Sequence, residues 1–103
     1  MAQQKRRKRM AGRGTGVGVG DGLRKVVRLL QEGGPSAAAG ACRALAVKHP
    51  DVAEVHHLYG RILYQMGRVE AAVASVRRAV ALAPEYGAAC NDLGNLLDEA
   101  GRT

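Results

Sequence analysis

The chain has no phenylalanine or tryptophan and only three tyrosines among its 103 residues. Aromatic rings fill many globular cores and provide the surfaces on which single-stranded nucleic acids stack. A core without them must be aliphatic, and its elements must lie close together. A chain of this length forms at most one small domain, so it has no room for a catalytic domain beside an accessory one.

Long apolar runs are also missing from the sequence. No stretch of the N-terminal segment has the length of a signal-peptide core, and none elsewhere has the length of a membrane span. We therefore expect no transmembrane segment and a cytoplasmic location, or a nuclear one if the source is eukaryotic.

Motifs for metal binding and catalysis are absent. Cys42 and Cys90 form no C-x-x-C pair, and His49, His56 and His57 form no H-x-x-x-H pair. A zinc site needs four closely spaced ligands, and a catalytic cysteine needs a recognisable motif around it. The sequence predicts no metal, no cofactor and no catalytic residue. Both cysteines are expected to be reduced thiols that pack as small apolar residues.

The positive charge is concentrated at the N-terminus. Residues 1–20 hold six of the sixteen Lys and Arg residues and no acid, whereas the rest of the chain holds ten bases and nine acids. Glycine recurs at every second position from Gly12 to Gly22, which defines no helical face. We therefore predict that residues 1–20 are a disordered, basic, glycine-rich tail.

The basic run Lys5–Arg9 within this tail has three interpretations. It is a solubilising terminus, a weak electrostatic contact for nucleic acid or an anionic surface, or a nuclear-import signal. A contact of this kind would be independent of sequence and strongly weakened by salt.

The middle of the chain shows two helical faces separated by a glycine. The first face consists of His56, Tyr59, Gly60 and Leu63. The second consists of Ala72, Val76, Ala79 and Val80. Gly67 ends the first predicted helix and Pro84 follows the second. The pattern predicts a helix-turn-helix hairpin of about 34 residues.

The hairpin pattern recurs along the chain. A shift by one hairpin length places Gly60 on Gly94, Leu63 on Leu97, Gly67 on Gly101 and Pro50 on Pro84. The units span residues 21–50, 51–84 and 85–103, and the last contains a first helix without a second. In the first unit the predicted apolar stripe is Leu23, Val26, Val27 and Leu30. Its second helix aligns with a shift that is one residue longer, so its register stays open.

Small residues stand where the two helices of a hairpin would cross. Gly60 and Ala72 would let the helix backbones approach closely, and Ala79 would let the second helix nest against the next hairpin. The packing signature is Tyr59, Gly60, Leu63, Gly67, Ala72, Ala79 and Pro84, with Leu93 and Gly94 in the third unit. This set resembles the tetratricopeptide repeat family, although His56 replaces its usual large residue and Val76 a frequent aromatic.

The resemblance implies an all-α solenoid of about two and a half helix-turn-helix repeats that serves as a non-catalytic scaffold. In this family the first helix of each repeat lines a concave groove that holds a peptide. Residues opposite the second helix are the candidates for partner binding. They are His57, Arg61, Tyr64 and Gln65 in the second unit, and Asn91, Asn95 and Asp98 in the third.

Two narrower roles in the family fit the residues poorly. A clamp for a C-terminal carboxylate could use Arg61 and Asn95, but the acids Asp92 and Asp98 stand beside them. The asparagine ladder of certain glycosyltransferases is absent, since Leu58 and Asp92 occupy its positions. Two alternatives remain: a nucleic-acid-associated protein that binds through its basic tail, and a repeat fragment of a larger transferase.

The terminal helix, residues 88–100, is expected to cover the second unit with Leu93, Gly94 and Leu97. It has no second helix to pack on. An apolar side formed by Cys90, Leu93, Leu96 and Leu97 would then remain partly exposed. The sequence therefore predicts self-association through this helix, or fraying of the C-terminus.

Overall fold

The computed structural model describes residues 15–101, with side chains from residue 18 onward, as a stack of five helices. The helices are α1 (Thr15–Glu32), α2 (Pro35–Lys48), α3 (Ala53–Gln65), α4 (Val69–Leu82) and α5 (Gly87–Gly101). Each helix packs on the next one along the chain. The described part contains no strand. The predicted all-α solenoid of two hairpins and a further helix is confirmed.

The first helix begins earlier than predicted. Because α1 starts at Thr15, residues 15–20 belong to it, and the tail boundary at residue 20 is wrong. Val19 packs against the apolar cluster that α1 shares with α2, and a Cβ on Gly22 would collide with Leu45. These contacts explain a helix in a segment whose glycine spacing shows no face. The basic run Lys5–Arg9 lies outside the described residues.

The first hairpin keeps the same register as the second. The starts of α2 and α4 are separated by one hairpin length, and so are the starts of α3 and α5. The buried residues Ala38, Cys42 and Leu45 of α2 correspond to Ala72, Val76 and Ala79 of α4. The alignment with the longer shift is therefore wrong. It would have placed Ala44, which is exposed, at the buried position of Ala79.

The core consists of two aliphatic clusters. The first joins α1, α2 and α3 through Val26, Ala38, Cys42, Leu45, Val55 and Ile62. The second joins α3, α4 and α5 through Ala53, Leu63, Ala72, Val73, Val76, Ala79, Ala89 and Leu96. Tyr59 packs against both clusters. Val27, predicted in the apolar stripe of α1, is 40% exposed instead, and Leu29 packs against the first cluster.

The turn after α3 confirms the role of Gly67. Its φ of 81° lies in the region that glycine adopts without steric cost. The Gly67 N–H donates to the Tyr64 carbonyl and the Arg68 N–H to the Leu63 carbonyl, each at 2.9 Å. This pair of bonds closes the helix C-terminus and turns the chain toward α4.

The same side-chain hydrogen bond occurs at the beginning of the second and third units. His56 Nε2 donates to the Pro50 carbonyl at 2.9 Å, and the Cys90 thiol donates to the Pro84 carbonyl at 3.4 Å. The donors and the acceptors are both separated by the repeat length. The carbonyl of the proline that precedes each of these units is therefore bound in the same way.

Gly60 confirms the close crossing of α3 and α4. A Cβ there would collide with Val76 Cγ2 and lie 3.1 Å from the Ala72 carbonyl oxygen. Gly94 does not repeat this role, because a Cβ there would meet no atom within 4 Å. The prediction that Gly94 and Leu97 cover the second unit is wrong. α5 packs through Leu93, as predicted, and through Ala89 and Leu96, which were not predicted.

The two cysteines have different surroundings. Cys42 is fully buried, its Sγ lies 3.5 Å from the Val55 carbonyl oxygen, and burial raises its pKa to about 11. Cys90 is exposed on α5. The prediction that both thiols are packed holds for Cys42 and is wrong for Cys90, because that side of α5 has no covering helix in the described part.

Candidate functional site

An open groove of about 400 Å³ runs between α3 and α5, the first helices of the second and third units. Both helices also pack on α4. The lining residues are Arg61, Tyr64 and Gln65 from α3, and Asp92, Asn95, Leu96 and Glu99 from α5. The hairpin packing of the solenoid thus places polar side chains of two helices opposite each other.

Four of the seven predicted partner-binding residues line this groove. They are Arg61, Tyr64, Gln65 and Asn95. Asn91 and Asp98 are exposed on α5 but do not line it. His57 is buried. The role of all seven residues in binding remains a prediction. The structure divides them into four that line the groove and three that lie outside it.

Three lining residues were missed by the sequence prediction. Asp92, Leu96 and Glu99 share one helical stripe with Asn95, at spacings of three and four residues. The sequence analysis chose the side of α5 that would lie opposite the second helix of its own hairpin. The groove wall is instead the side of α5 that faces α3. Two acids seven residues apart, with an amide between them, were the available signal.

His57 joins α3 to α5 beneath the groove and is not on its surface. Its Nε2 donates to Asp92 Oδ2 at 2.6 Å, and its Nδ1 lies 3.0 Å from the Tyr86 hydroxyl. The two rings meet edge to face at 5.1 Å between centroids. A tyrosine hydroxyl both donates and accepts, so each ring nitrogen has a partner in either charge state of the imidazole. The sequence analysis expected the His57 side chain to point away from the packed face, whereas the structure buries it.

A second hydrogen bond connects the same two helices. The Tyr64 hydroxyl donates to Glu99 Oε1 at 3.0 Å. This bond and the charge of Glu99 raise the pKa of the Tyr64 phenol. Both partners lie seven residues, or about two helical turns, beyond the His57–Asp92 pair. The groove is therefore bracketed by two side-chain bonds between α3 and α5.

The groove combines apolar surface, which includes Leu96 and the ring of Tyr64, with side chains of both charges. Arg61 forms no salt bridge within the described residues, so its guanidinium is available to a ligand. Gln65 and Asn95 each provide an amide that both donates and accepts. Across residues 15–101, no cluster of three His, Cys, Asp or Glu residues could hold a metal ion. The arrangement is suited to pairing with a peptide main chain and its charged side chains.

None of the described helices combines the length and apolarity needed to cross a bilayer.

Comparisons with known proteins give one consistent result. A family model described as "Tetratricopeptide repeat" matches residues 23–87 and again residues 58–103. Two solved structures, "Crystal structure of MamA" and "Crystal structure of MamA protein", superpose with TM-scores of 0.74 and 0.72 at 25% identity. Each alignment covers 81% of this chain, but 48% and 45% of those chains. The aligned part of this chain therefore spans less than half the length of each of these two structures. No curated protein matches the sequence.

Proposed function

The chain belongs to the tetratricopeptide repeat family, and on that premise we propose that it is a non-catalytic scaffold that binds an extended peptide between α3 and α5. Repeats of this family generally mediate protein–protein interactions. The proposed location is the cytoplasm, or the nucleus if the source is eukaryotic. The observation that carries the proposal is the open groove in which Arg61, Gln65 and Asn95 converge.

The side chains of the groove support one class of ligand. The amides of Gln65 and Asn95 can each bond an N–H and a C=O of an extended main chain. Arg61 favours an acidic side chain on the ligand, and its planar guanidinium suits a two-point contact with a carboxylate. Asp92 and Glu99 favour basic residues at the α5 side. We therefore propose a ligand of mixed charge in an extended conformation.

Replacing Arg61 and Asn95 together with alanine is expected to weaken peptide binding by at least about tenfold, because it removes one charged and one neutral hydrogen-bonding group. The probes are peptides selected on the intact chain from a displayed library of random linear sequences. Their affinities are measured by isothermal titration calorimetry for parent and variant.

The matched control is Arg77→Ala, which removes the same charge from an exposed position on α4 outside the groove. It should leave the affinity unchanged. Equal affinity for the parent and the double variant, with equal helicity by circular dichroism, would place the binding site elsewhere.

The basic run Lys5–Arg9 supports a second candidate, in which the tail binds nucleic acid and the repeats only support it. Deleting residues 1–14, which leaves α1 intact, separates the two functions. We expect the selected peptides to bind the shortened chain with unchanged affinity. Loss of peptide binding after the deletion, together with binding of single-stranded DNA by the full chain, would favour the second candidate.

A repeat fragment of a larger transferase remains the third hypothesis. It keeps the groove as a binding site and assigns catalysis to residues outside this chain.

A further inference from the structure

The second helices of the two hairpins, α2 and α4, have a basic outer side. Together they hold four bases, all of them exposed, and a single acid, Glu70. The first helices α3 and α5 hold one base and four acids instead. We call the exposed surface of α2 and α4 the basic side, and its bases are Arg43, Lys48, Arg77 and Arg78.

The fold itself does not use most of this charge. The salt bridges of the described part join Arg24 to Asp21 and His57 to Asp92, so none involves a base of the basic side. Glu70 stands in the first turn of α4, about two helical turns before Arg77. A base in the last turn of a helix compensates the helix dipole, but only Lys48 has that position. The three arginines are therefore available to a partner.

Small residues separate these bases on the surface. Most other exposed positions of α2 and α4 are alanine or glycine, namely Ala37, Gly40, Ala44, Ala71, Ala74 and Ala81. The arginines project beyond such short side chains, so an extended anionic surface can approach them without a steric obstacle. α2 packs between α1 and α3, and α4 packs between α3 and α5. The basic side therefore runs along the stack and is not one of its ends.

An apolar side chain projects from the same surface. Val47 is 77% exposed, and it lies one helical turn after Arg43 and directly before Lys48. Leu82 is 38% exposed and lies one turn after Arg78 on α4. Aliphatic residues beside bases suit the boundary of an anionic bilayer, where bases contact headgroups and apolar groups enter the acyl region.

Nucleic acid is the other polyanion that a basic surface could bind. Proteins contact its backbone with Ser, Thr, Asn, Gln and Tyr as well as with bases, and single strands also stack on aromatic rings. Among the exposed positions of α2 and α4, Ser36 is the only residue of these kinds. A phosphate contact would also leave Val47 in water. The composition of the basic side therefore favours lipid.

We propose that the basic side binds the surface of an anionic lipid bilayer. Arg43, Arg77 and Arg78 contact the charged headgroups, and Val47 enters the boundary between headgroups and acyl chains. The lining of the groove includes no residue of α2 or α4. Bilayer binding therefore leaves the groove open, and it does not depend on the peptide-binding function.

Co-sedimentation of the intact chain with lipid vesicles tests this surface. The vesicles contain equal amounts of phosphatidylserine and phosphatidylcholine, and vesicles of phosphatidylcholine alone give the background. Replacing Arg43 and Arg77 together with glutamine should weaken binding to the anionic vesicles by roughly tenfold or more, because each base near such a surface adds to the affinity. Val47→Leu should strengthen binding by up to about fourfold, because one more methylene enters the lipid.

The matched control replaces Lys25 and Arg28 with glutamine, which removes the same charge from exposed positions of α1. This control should bind the anionic vesicles much as the parent does. The basic run Lys5–Arg9 also attracts anionic lipid, but every variant keeps it, so its contribution cancels in the comparison. Circular dichroism checks that each variant is folded.

Any of four results would overturn the proposal. Equal sedimentation of the parent with anionic and neutral vesicles would exclude the interaction. Equal effects of the two double variants would assign binding to net charge or to the tail. An unchanged affinity of Val47→Leu would remove the apolar contact that favours lipid. Loss of double-stranded DNA binding in the Arg43 and Arg77 variant, with unchanged vesicle binding, would identify a nucleic-acid surface.

Discussion

Replacing Gly60 with leucine is expected to lower the free energy of unfolding by about 1–3 kcal/mol, because a side chain there forces α3 and α4 apart. A Cβ alone would collide with Val76 and crowd the backbone of Ala72. Ala72→Leu, at a fully buried position of the same crossing, should cost a similar amount. Urea unfolding followed by circular dichroism measures both variants against the parent.

Gly94→Ala is the matched control for the crossing. Gly94 has the same position in its repeat, but no atom lies within 4 Å of an added Cβ. Alanine in an open helix interior should stabilise the chain by roughly 0.5–1 kcal/mol, because it restricts the unfolded backbone and favours the helix. If Gly60→Leu unfolds at the same urea concentration as the parent, the close crossing is not a determinant of stability.

Replacing Asp92 with alanine is expected to cost about 1–3 kcal/mol, because it leaves the buried Nε2 of His57 without its acceptor. The Asp92 carboxylate is the α5 end of the His57–Asp92 bond, so its loss also loosens α5. Asp92→Asn keeps an oxygen acceptor at this position and should cost less. Thermal and urea unfolding of the two variants give the comparison.

Asn91→Ala provides the control for this pair, since Asn91 is the exposed neighbour of Asp92 on the same helix. It should leave the free energy of unfolding close to that of the parent. Equal stability of Asp92→Ala and the parent would mean that the buried imidazole finds another partner, such as water, at little cost.

The local features of the fold could be read from the sequence. Gly67 ends a helix by its own backbone conformation, and the Gly60–Ala72 crossing follows from their spacing within one hairpin. The repeat length then predicted α5, but it did not predict the start of α1 or the register of α2. Such signals need no knowledge of how one hairpin is rotated against the next.

Predicting the lining of the groove required the rotation of one hairpin against the next. Whether His57 points into the groove or beneath it depends on the rotation of α5, which the packing of Ala89 and Leu96 against the second cluster sets. His57 and Asp92 are 35 residues apart, and no local pattern pairs them. The start of α1 was hidden for a similar reason, since Val19 is ordered by a tertiary contact and not by a helical period.

The tyrosines provide a spectroscopic view of the groove. Tyr64 lines it, and Tyr86 contacts His57 beneath it, whereas Tyr59 is packed between the two clusters. Because the chain contains no tryptophan, the ultraviolet emission of these phenols is not masked by indole. Two of its three intrinsic fluorophores therefore lie where a ligand would change their surroundings. We therefore expect the tyrosine emission of the unlabelled chain to change when a ligand occupies the groove.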